Sequence, residues 1–181
     1  MSNKIPMTPY GYRLLRNELL KLKGQRVEIA EAIEVARGHG DLSENGDYDA
    51  AKDRSGMVEA KIRDLESKLS MAEVIDPLRL DETPTRVVFG STVFLEEVDS
   101  GEERKFIIVG TEESDVPNGL ISFDSPIAKA LIGKEQGETA RVTAPGGAKE
   151  YEIREILVTY SPPAIEDFEP LDEREATDAS R

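Results

Sequence analysis

The chain has 181 residues, 38% hydrophobic and 33% charged, with no Trp. Without Cys and with a single His, it excludes disulfides, Cys-ligated metal and a His-rich metal cage, and it fits a reducing compartment. The net charge of -14 argues against non-specific wrapping of duplex DNA, which needs cations to neutralise phosphates, and leaves a local basic patch or a basic protein surface as the route to a charged partner.

The opening Met1-Ser2-Asn3-Lys4-Ile5-Pro6-Met7 lacks the apolar run of a signal peptide. No stretch approaches the length of a membrane span, so a cytoplasmic protein off the membrane is expected, with one large or two small domains. Thr8 and Pro9 suit the N-cap and first position of a helix, and Met7 and Tyr12 sit where a hydrophobic staple closes. Leu15, Leu19, Leu22, Ile29, Ile33 and Ala36 then recur in alternating four- and three-residue steps, the seam of a coiled coil. Arg26 falls where that seam needs an apolar residue, and Gly24 costs about 1 kcal/mol in a helix interior. A helix from Thr8 to Arg37 spans roughly 45 Å at about 1.5 Å per residue.

A second seam runs through Tyr48, Ala51, Ser55, Val58, Ile62, Leu65, Leu69 and Ala72. The two seams are similar in length and are joined by a short polar turn, so an antiparallel hairpin over residues 1–76 is predicted, with its tip at about 38–47. Ala36, Ala51 and Ser55 make the coil slimmest near that tip. Asp76-Pro77 ends the helical pattern, and residues 77–84 read as a linker.

From Arg86 the hydrophobic period becomes two. Val87–Phe89, Thr92–Val98, Lys105–Val109, Leu120–Phe123, Thr139–Thr143 and Tyr151–Val158 read as strands, with turns at Asp99-Ser100-Gly101 and Pro145-Gly146-Gly147. Ser125-Pro126 opens a short helix that Gly133 closes. Residues 85–160 therefore form a small α+β domain, and the fold class is α+β throughout. Residues 161–181, rich in Asp and Glu, read as a disordered acidic tail.

The candidate chemistry sits at the hairpin tip. Asp41 and Glu44 lie three residues apart and read as a capping box for the second helix. They are also a donor pair of the kind Mg²⁺ takes, since that ion is held by one or two carboxylates with water or phosphate completing its shell. Two carboxylates on an exposed tip bind it weakly alone, so a second molecule has to supply the remaining ligands. Leu42 between them either packs locally on Tyr48 or touches a partner. Arg37 and Lys52 flank the tip, with Arg54 close by; they solvate the helices or hold a nucleic-acid backbone.

The run Ala36-Arg37-Gly38-His39-Gly40-Asp41-Leu42-Ser43-Glu44-Asn45 resembles the tip of the Gre transcript cleavage factors of bacterial RNA polymerase, closest to the GreA branch. Ile5-Pro6-Met7-Thr8 matches too, as do Leu120-Ile121-Ser122, Ser125-Pro126-Ile127-Ala128, Leu131-Ile132-Gly133-Lys134 and Pro145-Gly146-Gly147 in the second domain. The resemblance implies an FKBP-like second domain with an antiparallel sheet and one short helix, docked at the rim of the polymerase secondary channel. It implies that the coiled coil enters the channel as a monomer's arm and that Asp41 and Glu44 help hold the second Mg²⁺ of the polymerase active centre. Arg37 and Lys52 match basic positions implied to guide the 3′ end of backtracked RNA. On this reading the chain binds no cofactor alone and is not itself an enzyme; it stimulates cleavage by polymerase. Asp47 and Asp49 add acid near the tip and resemble inhibitory members that occupy the channel without promoting cleavage. A prolyl isomerase or chaperone with a coiled-coil arm, and a purely structural adaptor, are the readings from other classes.

Overall fold

Thr8 starts the first helix as its chemistry predicts: its hydroxyl oxygen accepts the Gly11 N–H at 3.0 Å, and Pro9 occupies the first helical position. The computed structural model describes residues 3–40 and 46–163. In chain order its elements are β1 (Ile5–Met7), α1 (Pro9–Arg37), α2 (Gly46–Ser70), β2 (Ala72–Val74), β3 (Thr92–Glu97), β4 (Glu103–Val109), β5 (Leu120–Ser122), α3 (Pro126–Leu131), β6 (Thr139–Ala144) and β7 (Gly147–Leu157). Arg13–Ala72 forms one compact unit, and the segment up to Tyr12 together with the chain from Glu73 forms another.

In the first unit the two helices run antiparallel. Lys23 pairs with Glu66 at 3.5 Å and Arg26 with Glu59 at 2.7 Å, so residue numbers fall along α2 as they rise along α1. The seam residues Leu15, Leu19, Leu22, Ile29 and Ala36 are buried from α1, and Ala51, Val58, Ile62 and Leu65 from α2. Burying each of the larger side chains contributes about 1.5–3 kcal/mol, which is what holds two charged helices together. The mid-seam Arg26 does not break the helix, because its guanidinium reaches across to α2. The predicted last seam residue, Ala72, is not helical: α2 ends at Ser70, and Ala72 opens β2, which pairs with β1.

In the second unit five strands form one sheet in the order β5-β4-β3-β7-β6. The pairings are antiparallel except at one edge, where β4 and β5 run parallel, so the sheet is mixed. Val93 and Leu95 of β3 face inward, as period two requires. On β7 the inward residues are Tyr151, Ile153 and then Ile156. That change of parity has a cause: Phe94 pairs with Glu155 and Leu95 with Ile153, leaving Arg154 as an extra residue that flips the strand's faces. Helix α3 covers the core with Ala128 and Leu131, both fully buried. Its cap is the predicted one, Ser125 Oγ accepting the Ala128 N–H at 3.3 Å, with Gly133 at φ +89° just beyond the helix end.

Two further expectations need correction. Val87–Phe89 is not a strand: Val87 makes backbone bonds with Gly133 and Lys134, but only Arg86 and Glu135 form a bridge. The stretch after Asp76 is not wholly irregular, because Asp76 accepts the Leu78 N–H and caps a single 3₁₀ turn over Pro77–Arg79.

Candidate functional site

Helix α1 leaves its last turn by tightening. The Gly38 N–H donates to both Glu34 O and Val35 O, and His39 donates to Ala36 O at 3.2 Å. Gly40 then turns the chain at φ +104°, a conformation that favours glycine. Asp41, Leu42 and Glu44 lie outside the described residues, so the tip is defined here by what flanks it.

Arg37, in the last turn of α1, pairs with Glu34 at 3.4 Å on the exposed face. Lys52 places its ammonium 5.4 Å from the centre of the Tyr48 ring, a cation–π contact that holds the side chain beside the start of α2. Arg37 and Lys52 are thus both exposed residues at the tip end of the hairpin, where the sequence puts them. Asp47 and Asp49 lie in the first turn of α2, where they stabilise the positive end of the helix dipole. That is a structural reason for two extra acids near the tip. Among the described residues, no three acidic or imidazole side chains are grouped so as to hold a metal.

Between the tip ends of α1 and α2 lies a cleft of about 380 Å³ that sequence patterning did not predict. Its floor is Ala36 and Ala51, both buried, and its walls include Ala32, Val35 and Ala50. His39, Asp47 and Arg54 line it as well. The signal was the run of small residues near the tip: alanines on both helices leave a hollow that leucines would fill.

A second polar cluster was also missed. In the sheet-bearing unit, buried Tyr160 donates its hydroxyl to Glu113 Oε2 at 2.8 Å. Burial raises the Glu113 pKa; the bond from Tyr160 and the nearby Gly11 N–H lower it only in part, and Glu112 adds repulsion. The Gly11 N–H is itself bonded to Thr8 Oγ1, and Glu113 Oε1 has no hydrogen-bond partner among the described residues. Burial likewise pushes the Tyr160 hydroxyl well above the ordinary tyrosine range. Glu113 and Tyr160 thereby sit against the start of α1, Glu113 at Gly11 and Tyr160 at the capping Thr8. A further hollow of about 480 Å³ in this unit is edged by Glu135, Gln136 and Glu155 and has no aromatic side chain in its lining. Such a lining does not suit an apolar proline pocket.

Helical hairpin, mixed sheet and tip motif together define a transcription elongation factor. Residues 5–74 match the family model described as transcription elongation factor, N-terminal, and residues 82–157 match that described as transcription elongation factor, GreA/GreB, C-term. The chain belongs to the GreA/GreB family of transcription elongation factors. It is similar to transcription elongation factor GreA of Ralstonia nicotianae, 52% identical over 153 residues that cover 84% of this chain and 96% of the relative. GreA of Neisseria meningitidis serogroup A is 51% identical over 154 residues, covering 84% and 97%. Among solved structures, GreA factor homolog 1 (Gfh1) of Thermus thermophilus is 27% identical, with 85% of this chain and 99% of that one covered and a TM-score of 0.39. The acidic segment from residue 161 lies beyond the end of the second family match.

Proposed function

We propose that this chain inserts its helical hairpin into the secondary channel of bacterial RNA polymerase and stimulates cleavage of backtracked RNA, without being an enzyme on its own. The single observation carrying this reading is the motif from Ala36 to Asn45, set between two antiparallel helices in a chain that matches the elongation-factor family over both units. Asp41 and Glu44 are the residues that would hold Mg²⁺, in company with ligands from polymerase and substrate. Their chemistry fits: hard carboxylate oxygens suit a hard cation that retains water and phosphate ligands. The ion, when bound, neutralises charge developing on phosphate oxygens and activates water.

The remaining work falls to the protein's own groups. The hairpin, held by its apolar inner seam, carries the tip carboxylates, and the sheet-bearing unit serves as the docking domain at the channel rim. Arg37 and Lys52, exposed on the tip end, hold the phosphates of the extruded RNA 3′ end. Leu42 contacts the channel wall. The protein acts as a monomer in the cytoplasm, where polymerase works; among the described residues no helix is long and apolar enough to cross a membrane.

The test uses a stalled, backtracked elongation complex with labelled RNA. Adding the protein with Mg²⁺ should release short 3′ fragments and restore elongation. Slowed elongation with no release would instead identify a channel-occupying inhibitor.

A further inference from the structure

We infer that the cleft between α1 and α2 is a nucleobase-binding subsite that takes the unpaired 3′-terminal nucleotide of the RNA and favours guanine. The inference rests on the channel reading above and adds to it a ligand, a subsite and a base preference.

The size fits first. At about 380 Å³ the cleft lies at the lower end of the roughly 300–1,000 Å³ typical of small-ligand sites, room for one nucleotide and not for a duplex. Its chemistry fits as well. Unpaired RNA bases are recognised by stacking on imidazole or guanidinium planes and by hydrogen bonds to their edges. Here the alanine floor and the exposed Val35, 62% accessible, give an apolar surface for a base face. His39 and Arg54 offer planar groups on the rim. Arg54 brings a positive charge to the lining, which suits a phosphate.

Asp47 sets the preference. A carboxylate accepts hydrogen bonds only. Guanine presents two adjacent N–H groups on its Watson–Crick edge and can satisfy both carboxylate oxygens. Adenine and cytosine offer one amino group each. Uracil offers one N–H flanked by two carbonyl oxygens, which a carboxylate repels.

The chain's one histidine makes the test direct, because a single imidazole signal reports on the cleft. GMP, UMP and ribose 5-phosphate are titrated into the full-length protein while the His39 ring protons are followed by NMR. GMP should shift them saturably, UMP at least threefold more weakly, and ribose 5-phosphate hardly at all. Asp47→Asn should remove the preference for GMP over UMP. Ala50→Leu fills the hollow with a residue of similar helix propensity and should abolish the shift while helical circular dichroism is retained. Equal shifts from ribose 5-phosphate and GMP, or none from any ligand, would overturn the inference.

In the backtracked complex, Ala50→Leu should slow cleavage about tenfold when the RNA ends in guanosine, the scale of one lost base–side-chain stack, and far less when it ends in uridine. Unchanged cleavage by an active protein sinks the cleft and spares the channel reading. No cleavage by the native protein sinks the channel reading, and the nucleotide titration then decides the cleft independently.

Discussion

Arg26 and Glu59 meet across the hairpin in a two-pronged ion pair, Nε 2.7 Å from Oε1 and Nη2 3.0 Å from Oε2. Both side chains remain partly exposed, at 45% and 38%, so solvent screens the pair. A polar residue in a coiled-coil seam fixes register at a cost in stability. Arg26→Leu should therefore raise the unfolding free energy by about 1 kcal/mol, roughly the gain from extra apolar burial, while Glu59→Ala should lower it by less than about 1 kcal/mol. Urea unfolding followed by circular dichroism measures both. A loss of stability in Arg26→Leu would show that the ion pair outweighs apolar burial.

Gly24 and Gly56 lie inside the two helices, and a methyl group added at either would meet nothing within 4 Å. Neither position needs glycine for packing or for a left-handed backbone. Gly24→Ala and Gly56→Ala should each stabilise the chain by about 0.5–1 kcal/mol through lower unfolded-state entropy. A decrease in unfolding midpoint for either would mean that a close contact forms at that site.

The Tyr160–Glu113 bond predicts a pH effect. The Glu113 pKa is raised in the folded protein above its ordinary 4.5, chiefly by burial. Its stabilising contribution is therefore complete below about pH 4.5 and declines as pH rises through the raised value. Glu113→Gln cannot ionise, so the native protein should lose stability relative to this variant as pH increases from 4.5 upward. Urea midpoints of the two proteins, compared across that range, give the answer. A difference independent of pH would mean that the carboxyl group titrates normally.

Removing the hydroxyl at the same bond is a separate test. Tyr160→Phe leaves a buried carboxylate without its donor and should cost about 1–3 kcal/mol. Equal stability would mean that water replaces the lost partner.

Sequence pattern carried some of these features and not others, for physical reasons. The hairpin was legible because a seam of Leu and Ile repeats over many turns, and the Thr8 and Ser125 caps were legible because their side-chain chemistry is local. β1 and β2 were not. Each has three residues, Pro6 weakens the strand signal of the first, and Ala72 continues the helical spacing from Leu69. The parallel pairing of β4 with β5 was hidden because nothing in a strand's alternation reports its direction. It depends on the connection through Gly119, at φ +78°, where a Cβ would lie 2.8 Å from Lys105 O. The buried Glu113 leaves no mark in the sequence pattern, since only tertiary packing removes it from water. Position along the helices puts Arg37 and Lys52 at the tip end, whereas the cleft arises from the spacing between two helices.

The central claim is that the tip carboxylates act in trans at the polymerase active centre, and it is tested most directly by the rate of RNA cleavage in a backtracked complex with Asp41→Ala and Glu44→Ala. Removing either ligand of a weak, shared ion should lower cleavage at least about tenfold, as loss of metal-site partners does, while helical content and binding to polymerase are unchanged. Cleavage at the native rate by both variants, with binding intact, would contradict the account.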